Sequence, residues 1–331
     1  MILLAGDIGG THTRLILAKI DSMGRQILAI EYYPSQEFPD LVTVVQKFYK
    51  DHLESTPVTA ACFAVAGPVI DHCAAVTNLP WTISEVELSK KLDIAKVKII
   101  NDFTAVTCGI SELKNSDTLT LQEGHQNTRI KHHPDAAVIG AGTGLGVSHR
   151  VWTGNQYQAF SSEAGHTGFA PENELQCQLL AWLQKKSNHV SLEMLLSGNG
   201  IYTIYRFLHE SYGMAESPTI SAKIKHSDPA KIITESALSK ADKLCVRSIE
   251  CFVDIYGAAA GNVALNYFPV DEVYIAGGIA AKISDQLASQ RFINAFICKG
   301  PMTENMKNIR VKLITQEKVG LYGALTTAQS I

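Results

Sequence analysis

The sequence lacks any paired arrangement of cysteines. It contains seven cysteines, an odd number, and no Cys-x-x-Cys pair. Disulfide-rich domains and structural zinc sites need cysteines in regular, closely spaced sets. The pattern therefore excludes both and favours reduced thiols. The seven are Cys62, Cys73, Cys108, Cys177, Cys245, Cys251 and Cys298.

A strong charge of either sign is also missing. The formal net charge is -3 over 331 residues, and the pI is about 6.4. Binding to nucleic acid or to anionic membranes relies on clustered positive charge, so neither is an expected partner and a small polar ligand is more natural. The sequence shows no positively charged leader and no long apolar run. We therefore expect a cytoplasmic protein.

The sequence does contain strand-like and helix-like segments in alternation, which predicts an α/β fold. The chain is long enough for two domains, since single cores tend to split beyond roughly 250–300 residues. Pro39 and the capping-box spacing of Ser84–Glu87 predict helix starts. Residues 111–134 are polar and are expected on the surface. Helices are predicted at 42–53, 84–92, 173–186, 236–266 and 320–328. Strands are predicted at 97–100, 273–276 and 309–314, and residues 60–69 are a strand-like run broken by Gly67-Pro68.

The segment from Leu3 to Leu17 carries two apolar runs joined by a tight turn. Gly9 and Gly10 allow backbone torsions that a side chain would penalise, and they let main-chain N–H groups approach a bound group. Asp7 ends the incoming strand, where a carboxylate can hold a hydrated divalent cation, and Thr11 adds a hydroxyl. Two interpretations stay open from this segment alone: a turn that binds a phosphate chain with its metal, and an ordinary hairpin turn.

A second arrangement of strand, glycine-rich turn and strand begins at Ala136. Its turn, Gly140 to Gly146, lacks the dinucleotide-binding spacing and the Gly-Lys-Ser/Thr of the usual nucleotide loop. A third glycine pair, Gly277-Gly278, follows a short predicted strand. Together the three glycine-rich strand ends favour nucleotide binding over three unrelated structural turns. The repeated layout predicts two related domains that face each other across a cleft.

Asn101 and Asp102 follow the strand predicted at residues 97–100. Ligands of open α/β sheets bind at the carboxyl ends of strands. A carboxylate there can orient a hydroxyl group and accept its proton during phosphoryl transfer. The competing interpretation is that Asp102 is a helix N-cap, and the position alone does not separate the two.

Glu163, His166 and Glu193 lie in segments predicted to be a loop and a helix start. Carboxylates near an imidazole suit the vicinal hydroxyls of a sugar, which they bind through charge-assisted hydrogen bonds. A zinc site is the other specific interpretation, but the spacing matches no zinc helix motif. Solvated surface acids are an equal alternative at this stage.

Beyond these groups, the chain contains eight short motifs in a fixed order. They are Gly6–Thr11, Thr77–Trp81, Ile100–Ala105, Gly140–Gly146, Glu163–His166, His189–Glu193, Leu196–Gly198 and Ala276–Ile279. In this order they resemble the motifs of bacterial ATP-dependent glucokinases, a family of the hexokinase, actin and Hsp70-like superfold. The resemblance extends to the Val319–Ala324 region and so covers nearly the whole chain.

The resemblance implies a kinase that uses ATP and Mg²⁺ to phosphorylate D-glucose at its 6-hydroxyl. It implies Asp102 as the general base and Asp7 as the residue that meets Mg²⁺. The residues it implies for sugar binding are Asn78, Asn101, Asp102, Glu163, His166 and Glu193. Those it implies for nucleotide binding are Gly6, Asp7, Gly9, Gly10, Thr11, Gly142, Thr143, Gly144, Gly277 and Gly278.

Some positions depart from the family pattern. His12-Thr13 stands where the family usually has Asn-Ala, which leaves individual phosphate contacts open. Ala164 stands where a glycine is common, which could change how closely the backbone approaches the sugar. The cysteine-rich zinc motif of the related repressor and open-reading-frame sugar kinases is missing after His166, which favours the glucokinase branch.

The fold implied by the resemblance is α/β, with two domains of duplicated ribonuclease-H-like topology of the actin-like ATPase superfold facing across a cleft. Residues 1–110 with 316–331 are expected to form the small domain, and residues 111–315 the large one. The alternatives are a kinase of another hexose or amino sugar, a phosphohydrolase of the same superfold, and a non-catalytic sugar-sensing protein. A homodimer is compatible with the sequence.

Overall fold

The computed structural model describes residues 1–53, 57–76, 78–124 and 132–331. Its strands are β1 (Ile2–Ile8), β2 (His12–Asp21), β3 (Gly24–Pro34), β4 (Ala60–Val65), β5 (Val69–Ile70), β6 (Cys73–Ala75), β7 (Thr82–Ser84), β8 (Lys96–Asn101), β9 (Thr118–Gln122), β10 (Ala136–Ala141), β11 (Leu145–Trp152), β12 (Tyr157–Ser162), β13 (Glu272–Ala276) and β14 (Arg310–Ile314).

The α-helices are α1 (Leu41–His52), α2 (Glu85–Leu92), α3 (Asp102–Gly109), α4 (Glu174–Gln184), α5 (Gly198–Glu210), α6 (Pro218–Ile224), α7 (Pro229–Leu238), α8 (Lys243–Asn266), α9 (Gly278–Lys282), α10 (Ser284–Leu287), α11 (Gln290–Ile297), α12 (Thr303–Met306) and α13 (Val319–Ser330). Short 3-10 helices lie at Ser35–Glu37, Ile110–Glu112, Asn115–Asp117, Ala164–His166 and Gly300–Met302. None of the helices in the described part of the chain is long and apolar enough to cross a membrane.

The described chain divides into two compact units. The first comprises Met1–Lys114, Thr153–Ser161 and Gln316–Ile331, and the second comprises Asn115–Trp152 and Ser162–Thr315. Strand β12 crosses the boundary between them. The domain boundaries predicted from the sequence differ from these units at residues 111–114 and 153–161, and they stay a prediction.

A five-stranded sheet in the order β3-β2-β1-β4-β8 forms the centre of the first unit. β1 runs antiparallel to β2 and parallel to β4, which is in turn parallel to β8. Successive side chains of a strand point to opposite faces, so Leu4 belongs to a core that includes residues of α1 and α2, whereas Leu3 packs with residues of α13. The carboxyl ends of the parallel strands meet at one edge of the sheet, and they carry Asp7 and Asn101.

The second unit repeats this strand layout. Its sheet contains the run β11-β10-β13-β14-β9, in which β10 is antiparallel to β11 and parallel to β13, and β13 is parallel to β14. A hairpin followed by two parallel strands is therefore present in each unit. The structure confirms the α/β fold and the duplication predicted from the two glycine turns. The helix α8 belongs to the main core of this unit, together with residues of α5, α7 and α11.

Two local predictions are wrong, and a third is right in position only. The helical region expected at 236–266 is two helices, α7 and α8, because the chain turns at Lys240 with φ of 55° and Asp242 caps a new start by accepting a hydrogen bond from Cys245 N. Helix α2 begins directly after Ser84 and ends at Leu92 as predicted, but the Ser84 side chain makes no cap bond to it. Residues 118–122 form strand β9 of the second unit's sheet, although the whole of 111–134 was expected as a surface excursion. The part of that segment at 125–131 lies outside the described residues.

The helix α1 begins one residue before the predicted position. The preceding Asp40 is its N-cap, and its side chain accepts a hydrogen bond from Thr43 N at 2.8 Å. Capping by an acidic residue satisfies an otherwise unpaired N–H group of the first turn. Asp40, rather than Pro39, therefore supplies the hydrogen bond that starts this helix.

Candidate active site

The β1–β2 turn of the first unit is held by side-chain and backbone hydrogen bonds. Ser35 Oγ donates to Gly9 O at 2.8 Å, and Gly9 N donates to His12 O at 3.0 Å. Gly6 serves packing, because a Cβ at this position would come within 2.8 Å of Phe63 Cδ1. Thr11 is exposed at the tip. These hydrogen bonds and packing contacts hold the turn in place, and Thr11 remains accessible to a ligand.

Asp7 pairs with a cation that the sequence analysis did not single out. Arg14 Nη1 lies 3.4 Å from Asp7 Oδ2, and the two side chains are 33% and 29% exposed. The Arg14 guanidinium also lies 5.5 Å from the centre of the Tyr32 ring. Burial raises the pKa of Asp7, while Arg14 opposes this shift. The signal that could have found Arg14 is the hairpin register, which places it directly opposite Asp7.

At the end of β8, the residue that caps helix α3 is Asn101 and not Asp102. Asn101 is the N-cap of α3, and its Oδ1 accepts hydrogen bonds from Phe103 N at 2.9 Å and Thr104 N at 3.2 Å. Its Nδ2 donates to Gly67 O at 3.1 Å and to Asp102 Oδ1 at 3.0 Å. All the hydrogen-bonding positions of this amide are therefore used within the chain. A sugar hydroxyl would have to share one of them.

Asp102 is consequently free of the capping role. Its Oδ1 accepts hydrogen bonds from Phe103 N at 2.8 Å and from Asn101 Nδ2. Its Oδ2 has no hydrogen bond to any residue that the structure describes. The pKa of Asp102 is raised to about 6, chiefly by burial; the negative charge of Asp7 contributes to this rise, and the hydrogen bonds oppose it. A carboxylate with a pKa near the working pH and a free oxygen suits a general base.

Asn78 lies in the loop before Trp81 and is exposed. Its backbone is left-handed, with φ of 64°, a conformation that asparagine tolerates better than most residues. It makes no hydrogen bond to another described residue, so its amide is available to a ligand. Thr77, which precedes it in the motif, lies outside the described residues.

In the second unit, Glu193 connects two of the predicted binding segments. Its Oε2 accepts a hydrogen bond from Leu145 N at 2.9 Å, and its backbone N donates to Gly165 O at 2.9 Å. Gly144 gives this carboxylate room, because a Cβ there would stand 2.5 Å from Oε2. Glu193 lies before α5 and not on a helix. The structure therefore brings the glycine turn, Glu193 and the Glu163–His166 loop together.

Glu163 and His166 are open to solvent on that loop. Their side chains are 69% and 62% exposed, and Glu163 Oε2 lies 3.9 Å from His166 Nε2. The backbone of the loop is fixed, because His166 O bonds to His189 Nε2 at 2.8 Å. Gly165 is required where it stands, since a Cβ would approach Leu145 O to 2.1 Å. The loop thus presents two exposed polar side chains from a fixed backbone.

The strands that lead into the Gly142 and Gly277 turns both contact Tyr256 of α8. Its hydroxyl accepts a hydrogen bond from Ala141 N at 3.1 Å and lies within 3.3 Å of Ile139 O and 3.2 Å of Ala276 O. These atoms end β10 and β13, just before the Gly142 and Gly277 turns. Tyr256 is fully buried. It was not identified from the sequence, because its partners lie 115 and 20 residues away.

Gly277 itself adopts a conformation that other residues avoid. Its φ is 95°, and a Cβ would stand 2.3 Å from Ala141 O. At the other turn, Gly142 N donates to Gly144 O at 2.8 Å, and Gly198 N donates to Gly142 O at 3.0 Å. Thr143, Gly277 and Gly278 are exposed. Both turns therefore offer accessible backbone on the second unit.

Comparison with known proteins gives one consistent family. The family model described as Glucokinase matches residues 4–331. The glucokinase of Nostoc sp. is 43% identical over an alignment of 344 positions, which covers 99% of this chain and 98% of the relative. A solved glucokinase from an Antarctic psychrotroph has a TM-score of 0.84 and 29% identity, and covers 100% of this chain and 99% of its own.

A more distant solved structure shares the fold. It is a ROK family glucokinase from Streptomyces griseus in complex with glucose and AMPPNP, with a TM-score of 0.67, 20% identity and complete coverage of both chains. The family model and the curated relative each span nearly all of the sequence. The chain therefore belongs to the glucokinase family.

Proposed function

We propose that this protein transfers the γ-phosphoryl group of ATP to the 6-hydroxyl of D-glucose, giving glucose 6-phosphate and ADP. Membership of the glucokinase family supports this function. The observation that carries it is the state of Asp102: its Oδ2 has no hydrogen bond to a described residue, while Asn101 takes the capping role. A strand-end carboxylate of this kind is what hydroxyl activation needs.

Asp102 would accept the proton of the sugar hydroxyl as the hydroxyl oxygen attacks the γ-phosphorus in line. Phosphoryl transfer demands little covalent chemistry from a protein, so positioning and charge stabilisation dominate. With a pKa of about 6, Asp102 is mostly ionised at neutral pH and is a stronger base than a solvated aspartate. The step leaves Asp102 protonated, and the proton returns to solvent after product release.

The nucleotide-binding side of the proposal rests on the β1–β2 turn and the two turns of the second unit. The backbone of the β1–β2 turn and that of the Gly142–Gly144 turn would meet the phosphates of ATP, and Gly277-Gly278 would meet the nucleoside. Arg14 offers further N–H donors beside Asp7, and a guanidinium binds phosphate oxygens well. The Streptomyces griseus relative was solved with AMPPNP, which supports a nucleotide as the second substrate.

Asp7 fits a role in holding Mg²⁺. Its carboxylate is partly exposed at a strand end, and it supplies the hard oxygen ligand that this ion prefers. Mg²⁺ in kinase sites is commonly held by one or two carboxylates and the substrate phosphates. When bound, the ion would neutralise charge on the transferring group.

The sugar-binding side of the proposal uses Glu163, His166, Glu193 and Asn78. Exposed carboxylate and imidazole groups on a fixed loop suit hydroxyl recognition. Asn101 has a different part in this scheme: it fixes Asp102, and it would reach the sugar only by sharing a hydrogen bond.

We also propose that the protein acts in the cytoplasm, and that residues 1–110 with 316–331 and residues 111–315 are its two domains. Free cysteines throughout the described residues support a reducing compartment.

The test is a coupled assay of the purified protein with ATP, Mg²⁺ and a panel of sugars. D-glucose should give the highest kcat/KM, with glucose 6-phosphate as the product. Preference for another hexose or an amino sugar would overturn the substrate, and ATP hydrolysis that exceeds the sugar-dependent rate would overturn the kinase assignment. Sugar binding without any phosphorylation would instead indicate a sugar-sensing protein.

A further inference from the structure

A cavity in the second unit is lined by none of the residues assigned to the proposed reaction. Its volume is about 520 Å³, within the roughly 300–1,000 Å³ range of small-molecule sites. The walls come from the beginning of α4, the middle of α8 and the length of α11. The lining residues are Glu172, Asn173, Gln176, Asp254, Arg291, Asn294, Ala295 and Cys298.

Gln176 gives this cavity an unused hydrogen-bond donor. The residue is 2% exposed. Its Oε1 accepts a hydrogen bond from Glu172 N at 2.8 Å, while its Nε2 bonds to no residue that the structure describes. This Nε2 is not one of the fully enclosed polar atoms that lack a partner among the described residues. It can therefore donate a hydrogen bond to a ligand atom or to an ordered water in the cavity.

The charged groups of the walls are already paired. Arg291 Nη1 lies 2.7 Å from Asp254 Oδ2, and Arg291 Nη2 lies 3.6 Å from Glu250 Oε2. Glu172 pairs with Lys299 Nζ at 2.5 Å, and the Lys299 side chain is only 5% exposed. The lining therefore holds two carboxylates and one guanidinium, and this guanidinium is paired. An anionic ligand such as a phosphate ester would have to break an existing ion pair.

The wall near Lys299 depends on a glycine of α8. A Cβ at Gly261 would come within 2.6 Å of Lys299 Cε and 2.4 Å of Phe296 O. Gly257 likewise lets α11 approach, because a Cβ there would stand 2.4 Å from Phe292 O. Close packing of α8 against α11 fixes the carboxylates and the guanidinium relative to one another, so the cavity has defined walls.

We propose that this cavity is a second small-molecule site, and that its ligand is a neutral polyhydroxylated molecule such as a sugar or polyol. A hydroxyl group both donates and accepts hydrogen bonds. It therefore suits a surface where amide N–H donors of Gln176 and Asn294 stand among paired carboxylates. The compensated ion pairs disfavour ligands of either charge.

Cys298 provides a direct measure of occupancy, because it is exposed and lines the cavity. The full-length protein is alkylated with iodoacetamide, and modification of each cysteine is followed by peptide mass spectrometry. No D-glucose is added, because a sugar belongs to the proposed class of ligand and would itself occupy the cavity. The probes are sorbitol and maltose, with inorganic phosphate as the charged comparator. Cys73, exposed in the first unit, is the internal control.

Sorbitol or maltose should slow alkylation of Cys298 about tenfold at ten times its dissociation constant, because only the unliganded fraction reacts. Cys73 should react at an unchanged rate. Gln176→Leu should abolish the protection, whereas Gln178→Leu, an exposed neighbour on the same helix, should keep it. If Gln176→Leu fails to fold, Asn294→Leu at an exposed wall position serves in its place.

The proposal is overturned if neither neutral probe protects Cys298, if inorganic phosphate protects it as well as they do, or if protection survives the loss of the Gln176 and Asn294 amides. These measurements do not depend on catalytic turnover, so they separate this site from the proposed kinase function.

Discussion

Asp102→Asn should make the protein more stable near pH 8 while removing most of its activity. The substitution keeps the shape of the side chain, and the amide oxygen can still accept the hydrogen bond from Phe103 N, which is 2.8 Å long in the structure. It removes the charge that burial disfavours. Stability and turnover should therefore change in opposite directions.

The size of the effect follows from the pKa of Asp102. Burial raises this pKa from 3.8 to about 6, a difference of about 2.2 units. At about 1.36 kcal/mol per unit, the buried charge costs at most about 3 kcal/mol above pH 7. Because the side chain keeps some contact with solvent, we expect a gain of about 1–2 kcal/mol for the asparagine variant.

The raised pKa of Asp102 determines the direction in which stability changes with pH. The folded-state pKa lies above the unfolded value, so between pH 3.8 and about 6 the native state binds more protons than the unfolded state. Stability of the wild-type protein therefore falls as the pH rises through this window. The advantage of Asp102→Asn should be near zero at about pH 4 and reach its full value above about pH 7.

Urea unfolding of both proteins across this pH range measures the difference, and a glucose assay measures kcat. Loss of a general base typically lowers kcat by about 10²–10⁴-fold. Asp93→Asn, at an exposed position of the same unit, is the matched control and should change neither quantity appreciably. The reasoning is refuted if Asp102→Asn is less stable than wild type near pH 8, or if the difference between them does not shrink in acid. A kcat within tenfold of wild type would refute the base assignment.

Three further predictions concern the other residues of the site. Arg14→Met should raise the KM for ATP by about 10–100-fold, as expected for the loss of a charge-assisted hydrogen bond. Arg14→Lys should raise this KM less. An unchanged KM in steady-state kinetics would show that Arg14 does not contact the phosphates. Glu193→Gln should raise the KM for glucose by about 10-fold or more with a smaller change in kcat, and equal KM values would exclude a sugar contact. Gly144→Ala should lower the melting temperature, because the new Cβ would stand 2.5 Å from Glu193 Oε2 and would displace this oxygen from its hydrogen bond with Leu145 N. Gly142→Ala has open space and should not lower it; equal melting temperatures by calorimetry would contradict the argument.

Features that depend on neighbouring residues could be predicted from the sequence. The glycine turns follow apolar runs directly, so the strands and their ends were located correctly. The duplication was visible because both turns occur in the same strand context. Asp102 was found at a strand end for the same reason.

Features that depend on distant or competing partners could not be predicted. Asn101 and Asp102 are both good caps, and only the folded backbone decides which of them becomes the N-cap of α3. Tyr256 appears in sequence as one more residue of a helix, yet its hydroxyl joins the ends of two strands. The break between α7 and α8 at residues 239–242 could not be predicted, because the helical patterns on both sides of it are stronger than the turn signal at Lys240.

Two opposing electrostatic effects act on the carboxylate of Asp102. It is the first residue of α3, and a helix N-terminus favours a negative charge by about 0.3–1 kcal/mol. Its hydrogen bonds from Phe103 N and Asn101 Nδ2 also favour the ionised form. Burial nevertheless prevails, since the pKa rises to about 6. If Asp102 itself capped the helix, more N–H groups would stabilise its charge and its pKa would fall. Because Asn101 caps the helix, Asp102 keeps a raised pKa and a free oxygen, and both are properties that a proton acceptor requires.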